Sequence, residues 1–433
     1  MRLSTSMLYE LGMRGVQRPQ AEQLELQQKI SANRRILKPS DDPIASANII
    51  SLNQAVAVNS QFAANAQSAQ ATLSLEADAL GDLTRVLQDM KALIVKAGNP
   101  VLQDQDRASI GTEVRVLYDE LIGIANRTDG TDQYLFSGYQ GSTKPFAETS
   151  PGVVAFSGDE GQRLAQIGPQ RRVAVGDSGA EVFQRAREGN GVFVTTPAST
   201  NSGTGVAGVG TIRNVQAWNN PAGSRDYSVN FHVDGAIPPV TTYDIVDTTS
   251  GTSMLTGAAA AAGPYARTYN SSNTIDLQRE GGDPVATPFD AGIQLSITGQ
   301  PATGDTFVVR RAQTKDVFST AHDLITSLSN ALPAGPAARA LYDNALAATS
   351  SSLDRAMDHV LTTRASAGVR LRELETARDT ASDLGLRYAE DLARLQDLDY
   401  ASALSELAQK QFSLEAAQKS YVAITQLKLF DFL

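Results

Sequence analysis

The chain has 433 residues, 42% hydrophobic and 6% aromatic side chains, a net charge of −10 and no cysteine. The missing cysteines exclude disulfides, zinc–thiolate sites and thiol nucleophiles, and the acidic balance argues against phosphate backbones, so no nucleic-acid partner is expected. No run approaches the ~18 apolar residues of a membrane span, so no membrane insertion is expected; Glu10, Glu22 and Glu25 interrupt any apolar leader, so no cleavable secretory signal is expected either.

The length points to two or three domains, and the punctuation residues divide them. Of 34 glycines, 24 lie between Gly138 and Gly304, and 11 of 17 prolines lie between Pro145 and Pro301. Helical ends flanking a β- and turn-rich centre are the reading of that distribution.

In chain order, Met1–Leu37 carries a thin apolar stripe that includes Leu3, Met7, Leu11, Leu24 and Ile30. Such a stripe is too poor in large side chains to hold a helix alone, because an isolated helix draws its stability from a packing partner. At Lys38-Pro39-Ser40-Asp41-Asp42-Pro43, Pro39 keeps Lys38 out of helical geometry, and Asp41 or Ser40 is expected to cap a helix opened by Pro43. Arg34, Arg35 and Lys38 stand beside this link as candidates for surface ion pairs worth only ~0–1 kcal/mol each.

Leu73, Leu80, Leu87 and Ile94 then recur at intervals of seven, with Leu83, Met90 and Ala97 between them, the two edges of a helical seam. Gly98-Asn99-Pro100 stops that helix. Asp104 or Asp106 is expected to cap the next, whose seam is Ile110, Val114, Leu117, Leu121 and Ile124, giving an antiparallel helical hairpin. From about Phe146 to Arg310 short β-suited runs alternate with turns: Gly152–Phe156, Gly191–Thr195, Tyr227–Phe231 with Val233, Thr242–Val246, Gln294–Ile297 and Asp305–Val309. One β module is favoured over two.

Asp316 opens a short helix closed by Pro333 and Pro336. From about Ala338 the pattern is helical almost to the end; unbroken, ~95 residues would run ~140 Å, so a coiled-coil or assembly element, or a break near Gly385, is expected. The last seam is Tyr400, Leu404, Leu407, Leu414, Ala417, Tyr421, Ile424 and Leu427, followed by the apolar tip Phe430, Phe432 and Leu433. A soluble monomer has no reason to expose such a tip, so it calls for a partner. The fold class is therefore α+β: a long antiparallel helical bundle or coiled coil built from both ends, with a β-rich insert. The expected division is 1–43 with 397–433 as terminal assembly helices, 44–145 with 311–396 as the bundle, and 146–310 as a variable β-rich insert.

Three segments are more specific: Ser31–Ala45 with its Pro39–Pro43 element, Thr128-Asp129-Gly130 followed by Tyr134–Tyr139, and Gln411–Leu433 ending LKLFDFL. Together with the opening MRLSTSMLY they resemble the flagellin superfamily, and most closely its hook–filament junction branch. The resemblance covers roughly 1–146 and 316–433. It implies a structural subunit of the bacterial flagellum, exported unfolded through the type III apparatus without a cleaved signal, and polymerising outside the cell as a ring between hook and filament. Its implied partners are copies of itself, a neighbouring hook-associated junction protein, filament flagellin, and an export chaperone on the C-terminal helix. The terminal helices would form an inner coiled-coil layer, disordered in the free subunit. The assembly interface implied is Leu3, Met7, Leu11, Leu24, Ile30, Arg34, Pro39, Ser40, Asp41, Asp42, Pro43, Tyr400, Leu404, Leu407, Leu414, Tyr421, Ile424, Leu427, Phe430, Phe432 and Leu433.

No enzyme, cofactor or metal site is expected. His232, His322 and His359 are scattered and none lies in an H-E-x-x-H pattern. Gly203-Thr-Gly205-Val-Ala-Gly208 fits G-x-G-x-x-G but lacks the preceding strand and following helix that a dinucleotide site needs. Filament flagellin, and an adhesive module displayed on the β insert, are the alternative functions.

Overall fold

A computed structural model describes residues 5–220, 226–260, 263–285 and 288–426. Its α-helices are α1 (Thr5–Ala32), α2 (Pro43–Ala97), α3 (Asp104–Ala125), α4 (Val215–Trp218), α5 (Val317–Ser329), α6 (Pro336–Gln396) and α7 (Tyr400–Gln426), and antiparallel strands fill the stretch between α3 and α5. The expected class, helical ends around a β-rich middle, holds. The chain forms two compact units. One takes residues up to Gln67, Gln166–Arg171 and the chain from Glu375; the other takes Ser68–Ala165 and Arg172–Leu374.

The second unit contains both large apolar cores. Along α2 the heptad positions Leu73, Leu80, Leu83, Leu87, Met90, Ile94 and Ala97 are all buried. From Leu80 onward they meet Ile110, Val114, Leu121 and Ile124 of α3, Phe318 and Leu324 of α5, and Leu346, Leu353 and Val360 of α6. Each such side chain contributes ~1.5–3 kcal/mol through removal from water. Gly111 lets α3 lie close to α5, since a Cβ there would sit 3.3 Å from the Cβ of Leu328. Caps fix the helix starts: Asp106 accepts the Gln103 N–H at 3.1 Å, and Asp316 accepts the Ser319 N–H at 2.6 Å.

The hairpin Phe146–Ser150/Val153–Phe156 joins this helical core, with the Phe146 ring 5.1 Å from Phe156 and 5.2 Å from both Phe183 and Phe318. Leu164–Gln166 and Arg172–Ala174 pair as a hairpin of their own, and the strands from Phe193 to Arg311 surround one separate β core. Its main sheet runs Thr252–Ser253, Thr241–Asp247, Asp226–Val233, Thr306–Arg311 and Phe193–Pro197, all antiparallel. Val229 stands opposite both Ile245 and Phe307, and these bury with Phe193, Trp218, Phe231 and Ile293.

The G-x-G-x-x-G run serves this β core. Asp305 accepts the N–H groups of Ser202 and Gly203, and the buried amide of Asn344 on α6 binds the Ala207 N–H at 2.8 Å and the Gly205 carbonyl at 2.9 Å. A Cβ on Gly203 would lie 2.4 Å from the Ala302 nitrogen. Here the glycines answer to close backbone approach.

Of the two alternatives left open for the last helical stretch, the break near Gly385 does not occur. α6 continues to Gln396, and the interruption falls at 397–399, where Asp399 caps α7 through the N–H groups of Ala401 and Ser402 at 3.0 and 3.2 Å. A single mid-helix glycine costs only ~1 kcal/mol, which packing readily offsets. A new cap is the stronger stop.

Candidate assembly interface

The terminal helices α1 and α7 pack on each other in the first unit. The less exposed positions of α1 include Gly12, Val16, Pro19, Gln23, Leu26 and Ile30; those of α7 include Ala403, Leu407, Lys410, Leu414, Ala417 and Tyr421. Both sets step by four and three, the spacing of an antiparallel helical seam. Tyr421 lies over Gly12, Lys410 bonds Glu22, and the Tyr400 hydroxyl donates to the Ile30 carbonyl at 3.1 Å. The hydrogen bond from Lys410 holds the Glu22 carboxyl below the usual glutamate range, with Arg18 assisting at 3.1 Å.

This seam is thin. Among the described residues of the two helices, Leu26 and Ala403 alone are fully buried. Large apolar side chains instead face outward: Met7, Tyr9, Leu11 and Met13 on the first half of α1, Leu24 further on, and Tyr400, Leu404, Phe412 and Val422 on α7. Leu11 and Leu24 are each 54% exposed and Phe412 is 74% exposed.

The sequence-derived interface thus divides in two. Ile30, Leu407, Leu414 and Tyr421 are half-buried on the intrachain seam, Tyr400 reaches it through its hydroxyl while 47% exposed, and Met7, Leu11, Leu24 and Leu404 remain largely outside it. Leu3, Leu427, Phe430, Phe432 and Leu433 lie outside the described residues, as does the side chain of Ile424. Tyr9, Met13, Phe412 and Val422 are exposed as well and fall off the heptad read from the sequence.

The link between α1 and α2 is built from its own polar groups. Asn33 takes a left-handed conformation (φ 50°), and the N–H groups of Asn33 and Arg34 return to the Ile30 and Lys29 carbonyls at 3.2 and 3.0 Å, closing the helix end. Asp41 accepts the N–H groups of Leu37 and Lys38 at 3.0 and 3.1 Å, which hold its carboxyl below the ordinary aspartate value. The cap of α2 is Asp42, not Asp41 or Ser40: its Oδ1 accepts the Ala45 N–H at 3.0 Å, and Pro43 takes the first helical position. Pro39 and Ser40 stay exposed at the tip.

The same link grips the chain's other crossing. Arg35 donates its backbone N–H to Gln396 at 2.8 Å and its guanidinium to Leu395 at 3.2 Å, Arg34 pairs with Asp397 as a β-bridge, and Arg35 lies 3.7 Å from Asp42. The α1–α2 and α6–α7 connections are thereby fastened to each other. Among the described residues no group of three or more His, Cys, Asp or Glu side chains could hold a metal ion, and His359 is engaged 2.6 Å from the Glu181 carbonyl.

A model of the bacterial flagellin N-terminal helical region matches residues 3–141. The chain carries a flagellin-type N-terminal region. Over 183 residues the chain is 39% identical to flagellar hook-associated protein 3 of Salmonella typhimurium, and 38% identical to that of Escherichia coli. Each alignment covers 42% of this chain and 57% of the relative, so it spans little more than half of those proteins. Among solved structures, hook-associated protein 3 of Legionella pneumophila aligns with a TM-score of 0.70 at 26% identity, covering 80% of this chain and 98% of that one. FlgL of Xanthomonas campestris aligns at 0.62 and 29% identity, covering 76% and 99%. Over residues 3–141 the resemblance to the flagellin superfamily read from the sequence is borne out.

Proposed function

We propose that the chain is a structural subunit of the bacterial flagellum that forms the junction ring between hook and filament. It assembles through α1 and α7, and it carries no enzymatic activity. The observation that carries this reading is the outward apolar face of two helices whose mutual seam buries so little. Burial of that face between neighbouring subunits contributes ~25 cal/mol per Å² of apolar surface, offset by the entropy of ordering the ends.

In this reading residues 1–43 and 397–433 are the inner assembly layer, 44–145 and 311–396 are the bundle, and 146–310 is the displayed insert. The subunit is exported without a cleaved signal, guarded by a chaperone on its C-terminal helix, and works outside the cell between a hook-associated neighbour and filament flagellin. Deleting Gln411–Leu433 is expected to leave the bundle folded, by circular dichroism, while cells shed their filaments. Normal filaments on such cells would overturn the proposal. Copy number separates it from a filament subunit: one ring's worth per flagellum is expected, against thousands.

A further inference from the structure

Away from the terminal helices, one buried acid has no role in assembly. Glu76 of α2 is 1% exposed. Its Oε1 accepts the Asp177 N–H at 2.9 Å, and its Oε2 is buried with no partner. The neighbouring carboxylate of Asp177 is already committed: Oδ1 accepts the Gln162 amide at 2.9 Å, and Oδ2 pairs with Arg370 of α6. Arg370 also reaches the Ala174 carbonyl at 3.4 Å. Two ionised carboxylates facing one guanidinium in a dry site would leave a buried charge uncompensated, which is costly. A proton on Oε2 removes that charge and turns the orphan oxygen into a donor toward Asp177.

We infer that Glu76 is held as a neutral carboxylic acid, and that its proton is the catch of a latch fastening α2 and α6 to the Gln162–Asp177 stretch at the root of the β-rich region. The charged groups acting on it are Asp177 from that stretch and Arg370 from α6. Burial and the Asp177 charge both oppose ionisation of Glu76, Arg370 only partly offsets them, and the direction agrees with the geometry. When the medium becomes alkaline enough to take the proton, the latch opens locally while the heptad core around Leu80 and Leu87 stays shut.

Two measurements on the full chain test this. Difference infrared spectroscopy at about pH 6 is expected to show a protonated-carboxyl C=O band that disappears on titration to about pH 10 and is absent in Glu76→Gln. Hydrogen-exchange protection at the Asp177 amide, corrected for intrinsic rates, is expected to fall about tenfold per pH unit once Glu76 ionises, and to stay flat in Glu76→Gln. Should Glu76→Gln fail to fold, the wild-type band decides alone. Absence of that band, protection independent of pH in the wild type, or an equal fall in Glu76→Gln would overturn the latch.

Discussion

The ring of Tyr421 rests on the bare backbone of Gly12, so closely that a Cβ at Gly12 would lie 2.6 Å from its Cδ2. Side chain and glycine come from opposite ends of the chain and fix how α7 meets α1. Gly15, one turn on, has nothing within 4 Å of such a Cβ. Replacing glycine by valine changes helix propensity equally at both sites, so the pair isolates the contact. Gly12→Val is expected to impair motility and the attachment of filaments seen by electron microscopy, and Gly15→Val to leave both near wild type.

At the link, Asp42→Ala removes the N-cap of α2 and is expected to cost ~0.5–2 kcal/mol, read from chemical denaturation. Asp41 acts through charge. The N–H groups of Lys38 and Leu37 hold its pKa below the ordinary aspartate value, so the native state binds fewer protons than the unfolded chain. Its contribution is present above the unfolded value and is lost as pH falls through the depressed one. NMR titration should show the Leu37 and Lys38 amides losing their hydrogen-bonded shifts only in strongly acidic solution, and no such transition in Asp41→Ala.

Glu76 has the opposite sign. Burial and Asp177 push its carboxyl up to about 8 from 4.5. Across that window the native state holds a proton that the unfolded chain has released, so stability declines as pH rises from 4.5 to about 8. Glu76→Gln is expected to flatten this slope and to raise Tm near the upper end by at least about 2 °C, the shift that ~1 kcal/mol gives in a domain of this size. A variant with an unchanged slope would show that another group governs it.

Asn344 is the one side chain of α6 seen to satisfy both the Ala207 N–H and the Gly205 carbonyl. Asn344→Leu strands both buried groups at ~1–3 kcal/mol each. A loss of ~2–6 kcal/mol in denaturant unfolding is expected, with the far-ultraviolet spectrum little changed.

Helices, their seams and the strand runs were legible because burial imposes a period, and α2 shows it at every heptad position from Leu73 to Ala97. The break before α7 was not, because a glycine punctuates more loudly in sequence than the aspartate cap at Asp399 that ends the matter in space. The cap of α2 was misassigned by one residue for a similar reason: Asp41 and Asp42 are chemically alike, and only the turn geometry divides wrapping from capping between them. The division of the interface into seam and outward face was likewise hidden, since Leu404 and Leu407 differ in sequence by nothing that periodicity can weigh. Phe412 broke the period and was passed over on that account.

The central claim, that the outward apolar face of α1 and α7 drives assembly, is tested most directly by Leu11→Glu and Phe412→Glu. Both side chains are more than half exposed in the single chain, so folding is expected to be unaffected. Purified variants should match the wild type in thermal unfolding yet fail to add to isolated hooks, scored by electron microscopy against wild-type protein. Junctions formed at wild-type efficiency by the double variant would contradict the account.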